Sequence, residues 1–303
     1  MGTVGECRLC GKRSTLQRSH LIPRFVARWL IRTSITGGTR LSEQPNIRLQ
    51  DISKKPLLCL SCEQRFNRDE TMFARNVFEP LRRGEVAEFQ YGSWMARFAV
   101  SVTWRALFSK VNHRAELPPP AVSAEKAWRS FLLGESKHPA SFSQHMFLAR
   151  RGALMPTASF AGVGTPVNLN RYVYRSIHAT PLLAADGSAA LVFANMCGVI
   201  LVGKIAIPEA PQLWRPSRIA IGRGTIRADL TQLPPSLLFF IHSFARDAAV
   251  VKFSDAQEKK IQQRAGKLMA KLRDSEPPHD SDSKEKGLSL LADWLTFGDR
   301  AVE

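Results

Sequence analysis

Two stretches, Cys7-Arg8-Leu9-Cys10 and Leu57-Leu58-Cys59-Leu60-Ser61-Cys62-Glu63, with Arg18-Ser19-His20-Leu21-Ile22-Pro23 between them, decide how the rest of the chain is read. A structural zinc ion takes four tetrahedral ligands, and two C-x-x-C doublets supply four thiolates. Forty-eight residues separate Cys10 from Cys59. That gap is long for a simple zinc ribbon, but it comfortably holds a β-hairpin. The spacing therefore predicts structural Zn²⁺ on Cys7, Cys10, Cys59 and Cys62 rather than disulfides. Gly11 after the first doublet lets the backbone bend its amides toward sulfur. The fifth cysteine, Cys197, lies in an apolar strand-like run and reads as a small buried hydrophobe.

Outward from the doublets, Thr15–Ile22 reads as a strand, stopped by Pro23, which holds Ile22 in extended geometry. Phe25–Ile31 suits a short amphipathic helix, Thr36-Gly37-Gly38-Thr39 a loop, and Asn46–Gln50 a second strand. From Ser61 to Arg83 a helix is expected, with Phe66, Phe73, Val77 and Leu81 near helical spacing and Pro80 ending or kinking its last turn. Glu63, Asn67 and Glu70 share one stripe of it, at i, i+4 and i+7. Residues 93–110 read as a buried helix, Leu117–Pro120 as a rigid break, and Ala124–Leu133 as a short helix.

Residues 141–205 read mostly as β. Arg171–His178 alternates, a turn at Asp186-Gly187-Ser188 joins Thr180–Ala185 to Ala190–Asn195, and Val199–Ile207 is a further strand. Leu237–Val251 and Ala256–Leu272 are expected helices, the second strongly basic. Residues 274–287 are too polar to bury a core, and Leu288–Phe297 suits an amphipathic tail helix. The other histidines (His113, His138, His145, His178, His242 and His279) have no partner spacing and read as structural or surface residues.

The chain of 303 residues carries 43 Lys+Arg against 26 Asp+Glu, a net charge of +17. Residues 1–83 alone hold sixteen Lys/Arg and seven Asp/Glu, a surplus of nine on just over a quarter of the length. Such an imbalance predicts an anionic partner, nucleic acid first and an acidic membrane surface second. No apolar run approaches the roughly 20 residues that cross a bilayer. The first twenty residues lack the apolar core of a signal peptide. The expectation is a soluble, cytoplasmic protein.

The order of doublet, histidine, second doublet and helix resembles the zinc-containing HNH endonucleases, which have the ββα-metal nuclease fold. The likeness covers roughly residues 5–80. It implies a zinc-bound HNH domain at 1–85; with the elements read above, the chain is expected to be α+β, with a mixed helical and β domain of unknown family at 86–272 and a flexible segment with a tail helix at 273–303. It implies phosphodiester hydrolysis with His20 as general base, since an imidazole takes a proton from water near neutral pH. Asn46 fits the family's central Asn, while Asp51 lies closer to the second doublet. Glu63 and Asn67 would hold a catalytic divalent ion, Mg²⁺ or Mn²⁺ by the hardness of their oxygens, with Glu70 as a substitute ligand. Arg18, Arg24, Lys54, Lys55 and Arg65, joined by Arg28, Arg32 and Arg68, would grip the phosphate backbone, of DNA ahead of RNA. Two positions depart from the family pattern. Ser19 stands where many members place Asp, Glu or His, and Glu63 where many place His. The alternative is a non-catalytic zinc module that binds nucleic acid. Residues 90–303 are where a protein partner or a second copy would dock.

Overall fold

The computed structural model describes residues 3–34, 38–41, 44–111, 114–150, 155, 164–166, 168–184, 188–230, 233–250 and 253–274. The expected turn at 186–188 (apart from Ser188), the polar stretch 274–287 with His279 (apart from Asp274) and the tail helix 288–297 lie outside them, as do His113 and Thr36-Gly37 of the expected loop. The protein is α+β. Its residues group into two units: Met1–Pro23, Ser53–Ala153 and Ile177–Ser236 form the first, and Arg24–Ile52, Leu154–Ser176 and Leu237–Glu303 the second. The grouping does not follow chain order, so residues 24–52 are set apart from the rest of 1–85.

In the first unit, β1 (Val4–Glu6), β2 (Arg13–His20) and β5 (Lys54–Cys59) form an antiparallel sheet in the order β1-β2-β5. β2 and β5 are neighbours although the intervening chain carries α1 (Arg24–Arg32), β3 (Thr39–Leu41) and β4 (Gln44–Leu49) of the second unit. The β2–β5 register pairs Gln17 with Leu58 but Arg18 with Pro56, so Leu57 is an extra residue on β5. Such a bulge places a prolyl residue, which has no N–H, without a break in the ladder.

β5 runs directly into α2 (Leu60–Phe73), which continues through a π-helical turn at Ala74–Phe78 into α3 (Glu79–Arg83). Pro80 was expected to end or kink this helix. Instead the wider turn just ahead of it takes up the missing N–H. The stop comes at Gly84, whose φ of +74° suits glycine and whose N–H donates to the Leu81 carbonyl.

β6 (Glu88–Tyr91) leads to α4 (Trp94–Leu107), whose residues from Met95 on are buried except Arg97. Phe73 and Phe98 stack with ring centres 3.9 Å apart, joining α2 to α4. α5 (Pro119–Leu133) starts at the prolines that were expected to break the chain, because a proline in the first helical turn gives up no hydrogen bond. β7 (Gln144–Leu148), β8 (Ile177–Leu183), β9 (Ala190–Met196) and β10 (Val199–Ala206) form an antiparallel sheet in the order β7-β10-β9-β8, packed on α4. Cys197 is at the β9–β10 turn, not in a strand. It and Gly198 have φ of +52° and +89°, a two-residue hairpin with both centres left-handed. The short helix α7 (Pro211–Trp214) follows, and β11 (Gly224–Arg227) pairs with β6.

In the second unit, Leu169–Arg175 form helix α6, not the strand expected from the alternation of 171–178. Leu169, Tyr172 and Val173, at i, i+3 and i+4, are the buried residues, a spacing a helix satisfies. The Arg175 guanidinium lies 5.1 Å from the Trp29 ring and donates to the Thr33 hydroxyl at 2.8 Å, tying α6 to α1. α8 (Pro235–Ala249), which belongs to this unit from Leu237, and α9 (Asp255–Asp274) complete it. Among the described residues no helix is long and apolar enough to cross a membrane.

Candidate functional site

The doublets converge. The four sulfurs of Cys7, Cys10, Cys59 and Cys62 all lie within 4.8 Å of one another, and Cys10 Sγ is 3.8 Å from Cys59 Sγ. Metal–sulfur bonds of about 2.3 Å in a tetrahedron put the sulfurs about 3.8 Å apart. The local backbone explains the convergence. Gly11, at φ +75°, donates to the Cys7 carbonyl at 2.8 Å, and the Cys59 N–H donates to Cys7 Sγ at 3.3 Å. The Arg8 N–H donates to the Leu57 carbonyl at 2.9 Å, fastening the first doublet to β5.

Burial pushes the Cys7 thiol up, and burial together with the neighbouring thiols pushes Cys62 well up. Cys59 is also burdened by burial, but hydrogen bonds with Ser61 and the surrounding sulfurs outweigh it and hold the thiol at about 6. Crowding and burial set the sulfurs against sharing negative charge, and a cation at the centre removes that restriction. The cluster is positioned to hold one metal ion.

The four-cysteine clamp lies next to the junction where β2 ends beside the start of α2. There Ser19, fully buried, donates its hydroxyl to Glu63 Oε2 at 2.6 Å. His20, half-buried, closes β2. Its cross-strand partner is Lys54, and that of Ser19 is Lys55, so each pair shares a face of the ladder. The His20 carbonyl accepts from Arg105 Nη1 at 3.0 Å, and Arg105 Nη2 donates to Glu70 Oε1 at 2.7 Å. Arg105 is 2 % exposed, so its charge is carried by this pair and by the Phe66 ring 5.2 Å away. Thus β2, α2 and α4 meet at one buried guanidinium.

The expected site residues divide accordingly. Ser19, His20, Glu63 and Glu70 gather at the strand–helix junction, with Glu63 bonded to Ser19. Asn67 is exposed on α2. Asn46 belongs to the second unit, where its Oδ1 accepts from the Ser254 N–H at 2.9 Å at the start of α9. Asp51 Oδ1 accepts from the next backbone N–H, of Ile52. Among the described residues, the four cysteines are the only group of three or more His, Cys, Asp or Glu side chains placed to share an ion.

Of the expected phosphate-gripping residues, Arg18 is exposed on β2 and Lys54 lies beside His20. Arg65 is exposed and donates to the Leu133 carbonyl at 3.3 Å. Lys55 donates to the Val111 carbonyl at 3.1 Å, and burial lowers its pKa. Arg24 opens α1 in the second unit and is exposed. Arg105 went unnoticed in the sequence. Its signal was the one arginine in the apolar run 98–107, a position that demands a partner. Comparison with protein-family models, with curated proteins and with solved structures returns no match.

Proposed function

We propose that the protein is a metal-dependent HNH-type endonuclease that hydrolyses phosphodiester bonds in nucleic acid, DNA ahead of RNA, and that its cysteine cluster holds Zn²⁺. The observation that carries the reading is the Ser19–Glu63 contact of 2.6 Å at the junction of β2 and α2, immediately before His20. A strand end with a histidine, an antiparallel return strand and a helix entered through the second doublet are the parts the ββα-metal resemblance calls for.

Four thiolates favour zinc among common divalent ions. The zinc holds scaffold and takes no part in the chemistry. Catalysis draws on the junction. His20 takes the proton from the attacking water, and the carbonyl bond from Arg105 holds the His20 backbone in place. Lys54, across the ladder, steadies the phosphate beside that water. Glu63 and Asn67 supply oxygen donors for a hydrated Mg²⁺ or Mn²⁺, an ion that keeps several waters and needs few protein ligands. When bound, that ion supplies charge stabilisation to the phosphate and the leaving oxygen. Ser19 orients the Glu63 carboxylate through its hydroxyl.

The test is cleavage of plasmid DNA and of RNA in Mg²⁺ or Mn²⁺, with His20→Ala alongside. Loss of about 10²–10⁴-fold in rate is expected for the variant. Cleavage at full rate by the variant removes His20 from its role. Among the described residues no group of three or more His, Cys, Asp or Glu ligands forms around Glu63, which favours a second reading, a zinc module that binds nucleic acid without cutting it. Salt-dependent binding with no cleavage under any divalent ion would establish that one.

A further inference from the structure

Away from the strand–helix junction, β7, β10 and α7 border an open pocket of about 350 Å³ lined by Ser143, His145, Lys204, Trp214, Arg215 and Arg218, together with Pro211 and Gln212. We propose that this pocket binds a small phosphorylated molecule, a phosphate monoester of about mononucleotide size.

Three cations line the pocket and no carboxylate does. Among the described residues, Lys204, Arg215 and Arg218 have no ion-pair partner. Lys204 instead lies 5.6 Å from the Trp214 ring. Glu209, on the loop before α7, does not neutralise them. Its carboxylate accepts from Trp214 Nε1 at 3.0 Å and from the Ser236 N–H and hydroxyl, both at 2.8 Å. Cations gathered in one concavity repel one another unless an anion joins them, and a phosphate bearing two charges answers three of them best.

The neutral groups are arranged for the same guest. Ser217 donates its one hydroxyl proton to the Trp214 carbonyl at 3.0 Å, so toward His145 Nδ1, 3.1 Å away, it acts as acceptor. The proton of the imidazole is therefore on Nδ1, and Nε2 accepts from the Ser143 hydroxyl at 2.9 Å. His145 is 2 % exposed and its ring meets Trp214 edge-on at 5.1 Å, which locks it. Burial first, and then Lys204 and Arg218, disfavour a fourth positive charge here, so His145 stays neutral. A histidine so placed is a poor base for activating Ser143 as a nucleophile, which argues for binding over catalysis. When an anion offsets the cations, His145 can take a proton at Nε2, and the Ser143 hydroxyl is then released to donate to the ligand.

The size argues for more than an inorganic ion. The pocket volume corresponds to on the order of ten waters, several times what a phosphate group displaces, and it falls in the range of small-molecule sites. Pro211 and the buried Trp214 give the remainder of the pocket an apolar wall.

The experiment is calorimetric titration of the full-length protein at constant ionic strength with AMP, adenosine and sodium sulfate, repeated on Arg215→Ala/Arg218→Ala and on Ser143→Ala. Both arginines are exposed, so their removal spares the core. AMP should bind more tightly than sulfate, and adenosine should not bind. The double arginine variant should lose about tenfold or more per arginine. The proposal is overturned if AMP fails to bind, if adenosine binds equally, or if the arginine variant binds AMP unchanged. It is also overturned if an oligonucleotide without terminal phosphate displaces AMP, since the site would then read diester backbone. None of these readouts depends on DNA cleavage by His20, so the two readings fail separately.

Discussion

His145→Gln should flatten the acid side of the stability profile. In the folded chain, burial and then the neighbouring Lys204 and Arg218 hold His145 down to about 4 against an ordinary 6.5, although the Trp214 carbonyl pulls the other way. The unfolded chain binds a proton here that the folded chain refuses. This contribution is therefore fully present above pH 6.5, declines as pH falls through that value, and is gone below the folded value of about 4. At 1.36 kcal/mol per pH unit the complete difference is about 3.4 kcal/mol. Weighting by the two titration curves, about 2 kcal/mol is lost between pH 7.5 and pH 5. With a urea slope of about 2–3 kcal/mol/M, the midpoint falls by roughly 0.7–1 M over that range through this group alone. The assay is urea unfolding, followed by tryptophan fluorescence, at pH 7.5, 6.5, 5.5 and 5 in chloride buffer. Other groups titrate in both proteins, so the quantity that counts is the difference in slope with pH between wild type and His145→Gln. Parallel profiles would refute the assignment of a buried neutral imidazole at this position, whatever the absolute stability of the variant.

Three further outcomes follow from the first unit. The purified protein should carry one zinc per chain by elemental analysis. Its removal by a chelator, or the change Cys62→Ser, should lower the melting temperature by on the order of 10 °C. Arg105→Met breaks the pair with Glu70 and the bond to the His20 carbonyl, and denaturant unfolding should register a loss of about 3 kcal/mol. If Arg105→Met unfolds at the wild-type midpoint, the buried guanidinium is not the tie described here. Ser19→Asp sets a second carboxylate against Glu63. It should cost about 1–2 kcal/mol without divalent ions and regain it in Mn²⁺, as read from thermal melts with and without the ion. Equal melting temperatures in both conditions would show that Ser19 and Glu63 do not form a cation site.

Much of the fold could be read from the chain because its signals are local. The doublets, separated by two residues each, announce a four-sulfur cluster, and the apolar spacing of Phe66, Phe73, Val77 and Leu81 marks one face of a helix. The misreadings also have local causes. Pro80 and the prolines at 118–120 look like breaks until the neighbouring backbone is known. A π turn accommodates the one, and a helix start the others. In Arg171–His178, polar and apolar residues alternate and also fit a helix, and only packing of Tyr172 and Val173 decides. At the strand–helix junction, Ser19 was noted as a departure from a family pattern, but its bond to Glu63 spans 44 positions and has no sequence signature. His145 was passed over because its partners are divided. Ser143 is two residues away, whereas Ser217 comes from a turn 72 residues later, and nothing in the spacing connects them.

The division of the chain into two groups of residues has a mechanical consequence. The chain passes from one unit to the other at 23/24, 52/53, 153/154, 176/177 and 236/237, five times in all. A chain joined to its neighbour by one linker can be separated by one proteolytic cut, but here a single nick at any crossing leaves four covalent links intact. Limited digestion should therefore yield fragments that remain together until denatured. Shortening the gene at one end removes part of a unit rather than a whole one. The excursion from Pro23 to Ser53 is the exception, because its two ends meet where the Leu21 N–H donates to the Ser53 carbonyl at 3.4 Å. At that neck a short turn would bridge β2 to β5, which makes residues 24–52 the segment to replace when the first unit is wanted without it.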